Sequence, residues 1–256
     1  MKKMSVIIHT LNESKNIENC IRSVNWADEI IVVDMESKDK TVKICKKYTS
    51  KVYLIKKLDY VELARNFAIS KAKYDWILVL DADETLPNHS EVIIRKLLQN
   101  KKIYGYQFPR KNYVNSKEYL LHGYFYPDYQ LRLFRNNKKI KYSGKIHEQP
   151  LIESSHLKIC NDVIIFHNPS HSKYNSFSSF SRFFPYIKIE GKTESNNYSL
   201  LWLLIKAKID FFRHFYRSFI KLSGYKDGYI GFRAAILFAL YKSSIYVYGA
   251  YLKIKR

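Results

Sequence analysis

Four short apolar runs alternate with helical segments over the first hundred residues, and this order constrains the fold more than any other feature. The helical segments are residues 14–24, 41–48 and 61–72. The apolar runs are residues 5–8, 29–33, 52–55 and 76–80. Continuous apolar strands separated by helices are typical of a parallel sheet that is covered on both faces. The sequence therefore predicts an α/β, Rossmann-like domain with a mostly parallel sheet.

Two changes of composition divide the rest of the chain. Short aromatic segments at 104–108 and 129–134 predict an antiparallel or mixed extension of the same sheet. From about residue 171 the chain becomes aromatic and basic, with a helical pattern of apolar residues. We therefore predict an α/β domain over residues 1–170 and a C-terminal helical extension over residues 171–256.

Composition excludes several classes of protein. Hydrophobic residues make up 46% and aromatic residues 16% of the chain, too much for a disordered or fibrous protein. The three cysteines form no CxxC pair, which indicates a reducing compartment and no zinc knuckle. The apolar run 5–8 is too short for a signal peptide, and Lys242 interrupts the apolar segment 234–251. We therefore expect neither a targeting segment nor a membrane-spanning helix.

Acidic side chains follow three of the predicted strands. Glu13 comes shortly after the first strand, Asp34 ends the second, and Asp81 and Asp83 follow the fourth. Ligands of open parallel sheets bind at the carboxyl ends of the strands, so these carboxylates are expected to converge there. Converging carboxylates repel one another unless a cation lies between them, and Mg²⁺ or Mn²⁺ with diphosphate oxygens is the usual solution. Asp39 is expected instead to cap a helix.

The order and spacing of these motifs resemble glycosyltransferase family 2, the inverting nucleotide-sugar enzymes with the GT-A fold. The matching residues are 5–13, 31–34, 64–66 and 78–84, with Ser37, Asp39 and Thr41. Farther on, residues 128–135 and 144–148 resemble a subgroup that includes lipopolysaccharide-core β-glucosyltransferases. The resemblance covers residues 4–168. It departs at His9, where many relatives have proline, a change that should be tolerated because it precedes the nucleotide-contacting residues.

The resemblance implies a role for each matching residue that faces the nucleotide. Thr10 and Glu13 should contact the nucleoside, and Asp34 should accept a hydrogen bond from the uracil ring. Arg65 should lie beside the base or the diphosphate, and Asp81 should face the ribose and the metal. The implied donor is therefore a UDP-sugar, with UDP-glucose as the first to consider.

The resemblance also implies a metal site and a catalytic base. Asp83 should ligate Mg²⁺ or Mn²⁺, and His147 has the spacing of a second metal ligand. An inverting transfer needs a base that takes the proton of the acceptor hydroxyl. Asp128 occupies the position that family relatives use for it, and Glu148 is the rival.

Arg132 and Arg135 are candidates for binding the diphosphate or the acceptor. They alternate with Leu131 and Leu133 along a predicted strand, so we expect them to share one face. Guanidinium groups there would stabilise the charge that develops on a diphosphate leaving group. The alternative is a solvated strand face.

The net charge of +21 points to a polyanionic partner or surface. From residue 171 onward, fifteen Lys and Arg stand against four acids. One face of a predicted helix there carries Ile205, Ile209, Phe212, Phe215, Phe219 and Leu222. The roughly opposite face carries Lys206, Arg213, Arg217 and Lys221. Such a basic amphipathic helix either packs its apolar face in a core or docks on an anionic membrane, and the charge excess favours docking.

The leading interpretation is a metal-dependent inverting glycosyltransferase, peripheral at the cytoplasmic face of the cell membrane. Its acceptor is expected to be a lipid-linked or cell-surface glycan such as lipopolysaccharide core. A nucleotidyltransferase is an alternative, but residues 12–14 form no glycine-rich phosphate loop after the first strand. A basic nucleic-acid-binding protein is another. The sequence has no RNP-like motif or zinc spacing, so we expect no nucleic-acid partner.

Overall fold

The computed structural model divides the chain into two compact units. The first comprises Met1–Lys111 with Asp128–Ser170, and the second comprises Asn112–Pro127 with His171–Arg256. The residues that the structure describes are 2–56, 62–115, 117–137, 140, 142, 149–150, 152–169 and 174–255. The predicted division at residue 170 therefore omits one feature, because the segment Asn112–Pro127 belongs to the second unit.

The first unit is built on a parallel sheet of the four predicted strands. These are β1 (Met4–Thr10), β2 (Glu29–Asp34), β3 (Val52–Leu54) and β4 (Trp76–Asp81). They lie in the order β3-β2-β1-β4. In the register of this sheet Thr10 pairs with Asp34, and His9 pairs with Asp81. The polar ends of three strands therefore reach the same edge.

Helices cover both faces of the parallel sheet. They are α1 (Ile17–Ser23), α2 (Thr41–Cys45), α3 (Glu62–Lys71) and α4 (Ser90–Leu97). Strand β4 is buried on both sides, so alternate residues join different cores. Trp76 and Leu78 pack with residues of α1 and α4, whereas Ile77 and Val79 pack with Ala64 of α3. This burial explains why the strand is a continuous apolar run.

A mixed, largely antiparallel extension continues the sheet beyond β4, as the aromatic segments predicted. Its strands are β5 (Glu84–Thr85), β6 (Gly105–Tyr113), β7 (Tyr119–Leu120), β8 (Asp128–Arg135), β9 (Leu157–Ile159) and β10 (Ile165–His167). Strand β8 pairs antiparallel with both β4 and β6, and β10 pairs antiparallel with β5. These pairings place the start of β8 and the end of β10 near the carboxyl edge of the parallel strands.

The second unit is helical. Its longer helices are α5 (Phe184–Asn197), α6 (Leu200–Phe215) and α7 (Gly228–Ile254). A π-helical segment, Tyr216–Lys221, follows α6. In the part of the chain that the structure describes, the segment Gly224–Ile254 is long and apolar enough to cross a membrane, by length and composition alone. The core helix of a soluble protein passes the same test. Lys242 interrupts the apolar run but not the helix, which continues through it.

Helix α6 packs through three buried residues and turns most of its large apolar residues outward. Its buried residues are Leu203, Ala207 and Asp210, and Asp210 pairs with Arg213 at 2.6 Å. Its exposed apolar residues are Leu200, Leu201, Trp202, Leu204, Ile205, Ile209 and Phe212. Lys206 is partly buried, and its ammonium lies over the Tyr198 ring, 4.4 Å from its centroid.

Glycines let α5 and α7 approach each other closely. A Cβ atom on Gly191 would lie 2.7 Å from the Ile245 carbonyl oxygen, and one on Gly249 would lie 3.1 Å from the Gly191 carbonyl oxygen. Close backbone approach at glycine is common where helices pack in lipid. Helices α5 and α7 also bury large apolar residues against each other, as water-soluble bundles do: Ile187 of α5 clusters with Leu237, Tyr241 and Ile245 of α7.

Candidate active site

An ionic network lies at the carboxyl edge of β4. The two Asp81 carboxylate oxygens accept from different arginines, with Arg65 at 3.3 Å and Arg132 at 2.8 Å. Burial alone would raise the pKa of Asp81, but the charges of Arg132 and Arg65 outweigh it and hold this pKa well below its ordinary value. Asp81 is therefore an ionised carboxylate fixed between two cations.

Glu84 is the buried centre of this network. Its side chain is fully buried, and one of its oxygens accepts from Arg132 at 2.5 Å and from Arg110 at 3.0 Å. Its other oxygen accepts from the Asp81 backbone N–H at 3.1 Å. A buried carboxylate is stable only when it is paired and hydrogen-bonded, and these contacts meet that requirement.

Arg110 connects the network to Asp128, the predicted base. Its Nε and one terminal nitrogen donate to the same Asp128 oxygen, at 2.9 and 2.7 Å. The other Asp128 oxygen accepts from the Gln130 amide at 2.6 Å. The carboxylate is thus fixed in orientation at the start of β8, on a strand that pairs with β4.

The loops after β1 and β2 are tied together by side-chain hydrogen bonds. Asp34, which is fully buried, accepts from the backbone N–H and the hydroxyl of Ser37, at 2.8 and 2.5 Å. The Ser37 hydroxyl oxygen accepts in turn from the Asn12 backbone N–H at 2.7 Å. The Thr41 hydroxyl oxygen accepts from the Glu13 backbone N–H at 2.9 Å. These bonds give the loops after β1 and β2 a defined shape.

Asp39 behaves much as a capping residue, although the helix begins one residue later than a cap at Asp39 requires. It accepts from the Thr41 backbone N–H at 2.9 Å, and its other oxygen accepts from the Ser14 backbone N–H at 3.0 Å. The structure places Lys40 at the N-cap position of α2. Asp39 therefore joins the two loops.

Two of the predicted nucleotide-binding residues keep unused polar atoms. The Thr10 hydroxyl and the Nε and one terminal nitrogen of Arg65 are buried, and they have no hydrogen-bond partner among the described residues. Both residues are more than nine-tenths buried. Buried polar groups normally have partners, so such atoms at the carboxyl edge suit a polar ligand.

Asp83 lies beside a histidine that the sequence analysis did not assign to the site. His167, the last residue of β10, places its Nε2 atom 3.3 Å from an Asp83 carboxylate oxygen. Both side chains are partly exposed. One carboxylate oxygen and one imidazole nitrogen are suitable donors for Mn²⁺ or Mg²⁺, with diphosphate oxygens or water filling the other positions.

The metal site predicted from the sequence is only partly within the described structure. His147 and Glu148 lie outside the described residues. Among the residues that are described, no group of three or more His, Cys, Asp and Glu side chains is arranged to hold a metal. The pair of Asp83 and His167 therefore fits a metal that takes its remaining ligands from substrate.

Arg132 and Arg135 do not share a face, and that part of the prediction is wrong. Arg132 is buried against Asp81 and Glu84, whereas Arg135 pairs in register with Trp76, at the amino end of β4. The Arg135 guanidinium lies 4.9 Å from the Trp76 ring centroid and donates to the Asn100 carbonyl oxygen. Side chains alternate along a strand, so residues three apart point to opposite faces.

Three residues of the network were missed by sequence reasoning: Glu84, Arg110 and His167. Glu84 directly follows the Asp81–Asp83 motif, so its position alone was a usable signal. Arg110 and His167 become part of the site only through the pairing of β6 with β8 and of β10 with β5. No local sequence pattern marks either residue.

The chain belongs to glycosyl transferase family 2, because residues 5–158, more than half of its length, match the model of that family. This membership and the observed sheet confirm the predicted fold class, a GT-A-type α/β sheet with a C-terminal helical extension.

Among individual proteins, glycosyltransferase SunS of Bacillus phage SPbeta is 33% identical over 178 residues, covering 67% of this chain and 40% of SunS. An uncharacterized glycosyltransferase of Rickettsia bellii (strain RML369-C) is 51% identical over 86 residues, covering 33% of this chain and 29% of that protein. The chain thus spans well under half the length of these curated relatives.

Solved structures show weaker similarity. The crystal structure of S. aureus TarS covers 74% of this chain and 40% of TarS, with 16% identity and a TM-score of 0.44. Glucosyl-3-phosphoglycerate synthase from Mycobacterium tuberculosis, in complex with Mn²⁺ and UDP-glucose, covers 43% of this chain and 44% of that chain. Its identity is 21% and its TM-score 0.37.

Proposed function

We propose that the chain is the catalytic part of a metal-dependent, inverting glycosyltransferase that uses a UDP-sugar. The observation that carries the proposal is the juxtaposition of Asp81, Arg65 and Arg132 at the strand edge that also holds Thr10 and Asp34. A carboxylate can accept an N–H donor of a base, and guanidinium groups can bind diphosphate. UDP-glucose is the first donor to test.

The reaction then follows from the positions of this chain's own groups. The acceptor hydroxyl oxygen forms a bond to the anomeric carbon as the bond from that carbon to the diphosphate oxygen breaks. The hydroxyl proton passes to the carboxylate of Asp128, or of Glu148 as the rival base. Attack from the face opposite the leaving group inverts the anomeric configuration.

Charge on the departing UDP must be neutralised during this step. Arg65 and Arg132 both contact Asp81, and Arg65 keeps two buried nitrogens and Arg132 one that have no hydrogen-bond partner among the described residues. A divalent metal, when bound by Asp83 and His167, would supply further positive charge at the diphosphate. His147 stays a candidate ligand from the sequence.

The acceptor we propose is a glycan on a lipid or cell surface, such as lipopolysaccharide core, reached by a chain docked at the cytoplasmic face of the membrane. Support comes from α6 and the π-helical segment after it, whose exposed residues include Trp202, Ile209, Phe212 and Arg213 on α6 and Arg217 on the segment. Apolar and cationic side chains on one surface suit the headgroup layer of an anionic bilayer.

The test of the proposed chemistry is a screen of donor hydrolysis over UDP-, GDP- and CMP-sugars, with Mn²⁺, with Mg²⁺ and with EDTA. We expect hydrolysis of a UDP-sugar that EDTA stops and added metal restores. Hydrolysis that is fastest with another nucleotide, or indifferent to EDTA, would contradict the donor or the metal. Nuclease-sensitive copurification with RNA, without any UDP binding, would favour the nucleic-acid alternative.

A further inference from the structure

A groove between α5 and α7 of the second unit has one apolar end and one basic end. The apolar end has a volume of about 340 Å³ and is lined by Phe184, Ile187, Lys188, Ser244, Val247, Tyr248 and Tyr251. Its walls are almost entirely apolar. This volume is within the range of small-molecule pockets, roughly 300–1,000 Å³.

The basic end of the groove has a volume of about 900 Å³. It is lined by Lys188, Ile189, Lys192, Thr193, Asn196, Asn197, Tyr248, Leu252 and Lys255. Lys188 and Tyr248 line both ends, so the two cavities adjoin. The groove therefore changes from apolar to cationic along its length.

The lysines of α5 line the groove, whereas the glutamates of this helix lie outside it. Lys188 and Lys192 lie one turn apart and both line the groove, whereas neither Glu190 nor Glu194 does. Glu190 instead pairs with Lys242 at 3.4 Å and accepts from the Tyr241 hydroxyl. The basic end is thus lined by three lysines and no acid, and its polarity suits an anion.

We propose that this groove binds one anionic phospholipid, with an acyl chain in the apolar end and the phosphate among Lys188, Lys192 and Lys255. An amphiphile with an anionic head is the ligand class that matches both ends at once. A free phosphate would use only the basic end, and a zwitterionic lipid would present a choline cation to three lysines. The proposal rests on the proposed membrane association, because the bilayer is the source of the lipid.

The lipid site differs from the docking surface of α6. Docking uses many contacts spread over the outward face of that helix, whereas the groove has room for one molecule along the open cleft between α5 and α7. A ligand in the groove should therefore bind saturably, at one molecule per chain. The interaction should persist in a detergent micelle, where no bilayer is present.

The experiment measures binding of phosphatidylglycerol with one fluorescent acyl chain to the full chain in zwitterionic detergent. We expect saturable binding that unlabelled phosphatidylglycerol displaces and that phosphatidylcholine or inorganic phosphate does not. The triple variant Lys188→Gln, Lys192→Gln, Lys255→Gln should bind at least ~10-fold more weakly, because it removes the cations that face the headgroup. Ser244→Phe should have a similar effect by filling the apolar end.

Matched controls separate this site from general basicity and from misfolding. The triple variant Lys96→Gln, Lys101→Gln, Lys226→Gln removes the same charge from exposed positions outside the groove and should leave the affinity unchanged. Ser243→Phe adds the same ring at a neighbouring position that does not line the groove. Circular dichroism melting must show that each variant is folded.

The outcomes separate the groove from the proposed function. If inorganic phosphate displaced the fluorescent phosphatidylglycerol, the groove would be a site for anions only. If phosphatidylcholine displaced it as well as phosphatidylglycerol does, the groove would be an apolar site only. Either result overturns the proposal. Unchanged affinity in both groove variants overturns it too. Failure of the donor screen leaves the lipid measurement intact, because that measurement needs no donor.

Discussion

Arg110 donates two hydrogen bonds to a single oxygen of Asp128, from Nε at 2.9 Å and from a terminal nitrogen at 2.7 Å. The same guanidinium also contacts the buried Glu84, so it links the predicted base to the network that holds Asp81. A base must lie within hydrogen-bond reach of the proton that it accepts. Arg110 and Gln130 together limit the directions in which Asp128 can meet an acceptor hydroxyl.

We expect Asp128→Asn to bind the UDP-sugar normally and to turn over at least ~100-fold more slowly, because the amide cannot accept the hydroxyl proton. Steady-state kinetics with the donor found by the screen measure this. Glu148→Gln is the matched control and should keep most of its kcat. An unchanged kcat in Asp128→Asn, together with a collapse in Glu148→Gln, would transfer the role of base to Glu148.

We expect Asp83→Ala to lose metal-dependent UDP binding while its fold stays intact, because it removes a carboxylate ligand. His167→Ala should weaken the same binding, since its imidazole lies 3.3 Å from the Asp83 carboxylate. Isothermal titration of UDP with and without Mn²⁺ measures both effects. His156→Ala is the control, because that imidazole stacks on Tyr104 at 4.5 Å instead. Normal Mn²⁺-dependent binding by Asp83→Ala would exclude this metal site.

Removing Arg132 should destabilise the first unit. Arg132→Met leaves Glu84 and Asp81 without a principal partner, and breaking a buried ion pair typically costs about 3–5 kcal/mol. Urea unfolding measures the change in the free energy of unfolding. Arg22→Met is the control, because its bridge to Glu18 is exposed to solvent and should contribute little to the free energy of unfolding. If the two variants lost the same free energy of unfolding, the buried network would not stabilise the first unit more than an exposed ion pair does.

His9 should make stability depend on pH. Burial, helped by the charge of Arg65, lowers the pKa of His9 to about 3. The unfolded chain has the ordinary histidine pKa of about 6.5, so between these values it binds a proton that the folded chain does not. The contribution of His9 to the free energy of unfolding is therefore fully present above about pH 6.5, and it is lost progressively as the pH falls toward 3.

The measurement for His9 compares urea unfolding of wild type and His9→Gln from pH 7 to pH 4. We expect the free energy of unfolding of wild type to fall faster than that of the variant, by up to about 1.4 kcal/mol per pH unit. Parallel curves for the two proteins would show that His9 is not the titrating group.

Charge reversal beside the outward face of α6 should release the chain from anionic vesicles. We expect wild type to cosediment with such vesicles at low salt, and Arg213→Glu with Arg217→Glu and Lys221→Glu to stay in solution. Each cation near the surface contributes about 1 kcal/mol, screened within a Debye length. High salt should weaken wild-type binding without abolishing it, because the apolar residues still partition. A wild type that fails to bind at low salt would contradict docking.

The parallel strands and their polar ends could be predicted because the information is local. Each strand is a continuous apolar run, and Asp34 and Asp81 close two of these runs. The ionic network could not be predicted, because Arg110 and Arg132 reach Glu84 only through the register of β8 against its neighbours. The prediction that Arg135 shares a face with Arg132 failed for a simpler reason. The two residues are three apart on a strand, and side chains alternate between the faces of a strand.

Helical periodicity predicted where the apolar residues of α6 gather but not which way they point. A period of 3.6 residues identifies a face, and only the neighbouring helices decide whether that face is inside. Here Leu203 and Ala207 are buried, while Phe212 is 68% exposed.

The outward apolar residues of α6 make the particle size of this protein a property of its medium. Exposed apolar surface gains roughly 25 cal/mol for each Å² removed from water, whichever molecule covers it. In plain buffer the molecule available in quantity is another copy of the chain, and in detergent it is the micelle. A sedimentation coefficient measured in either medium therefore depends on the molecules that cover Trp202 and Phe212. The mass of bound detergent, or of further copies of the chain, has to be subtracted before the mass of one protein is obtained.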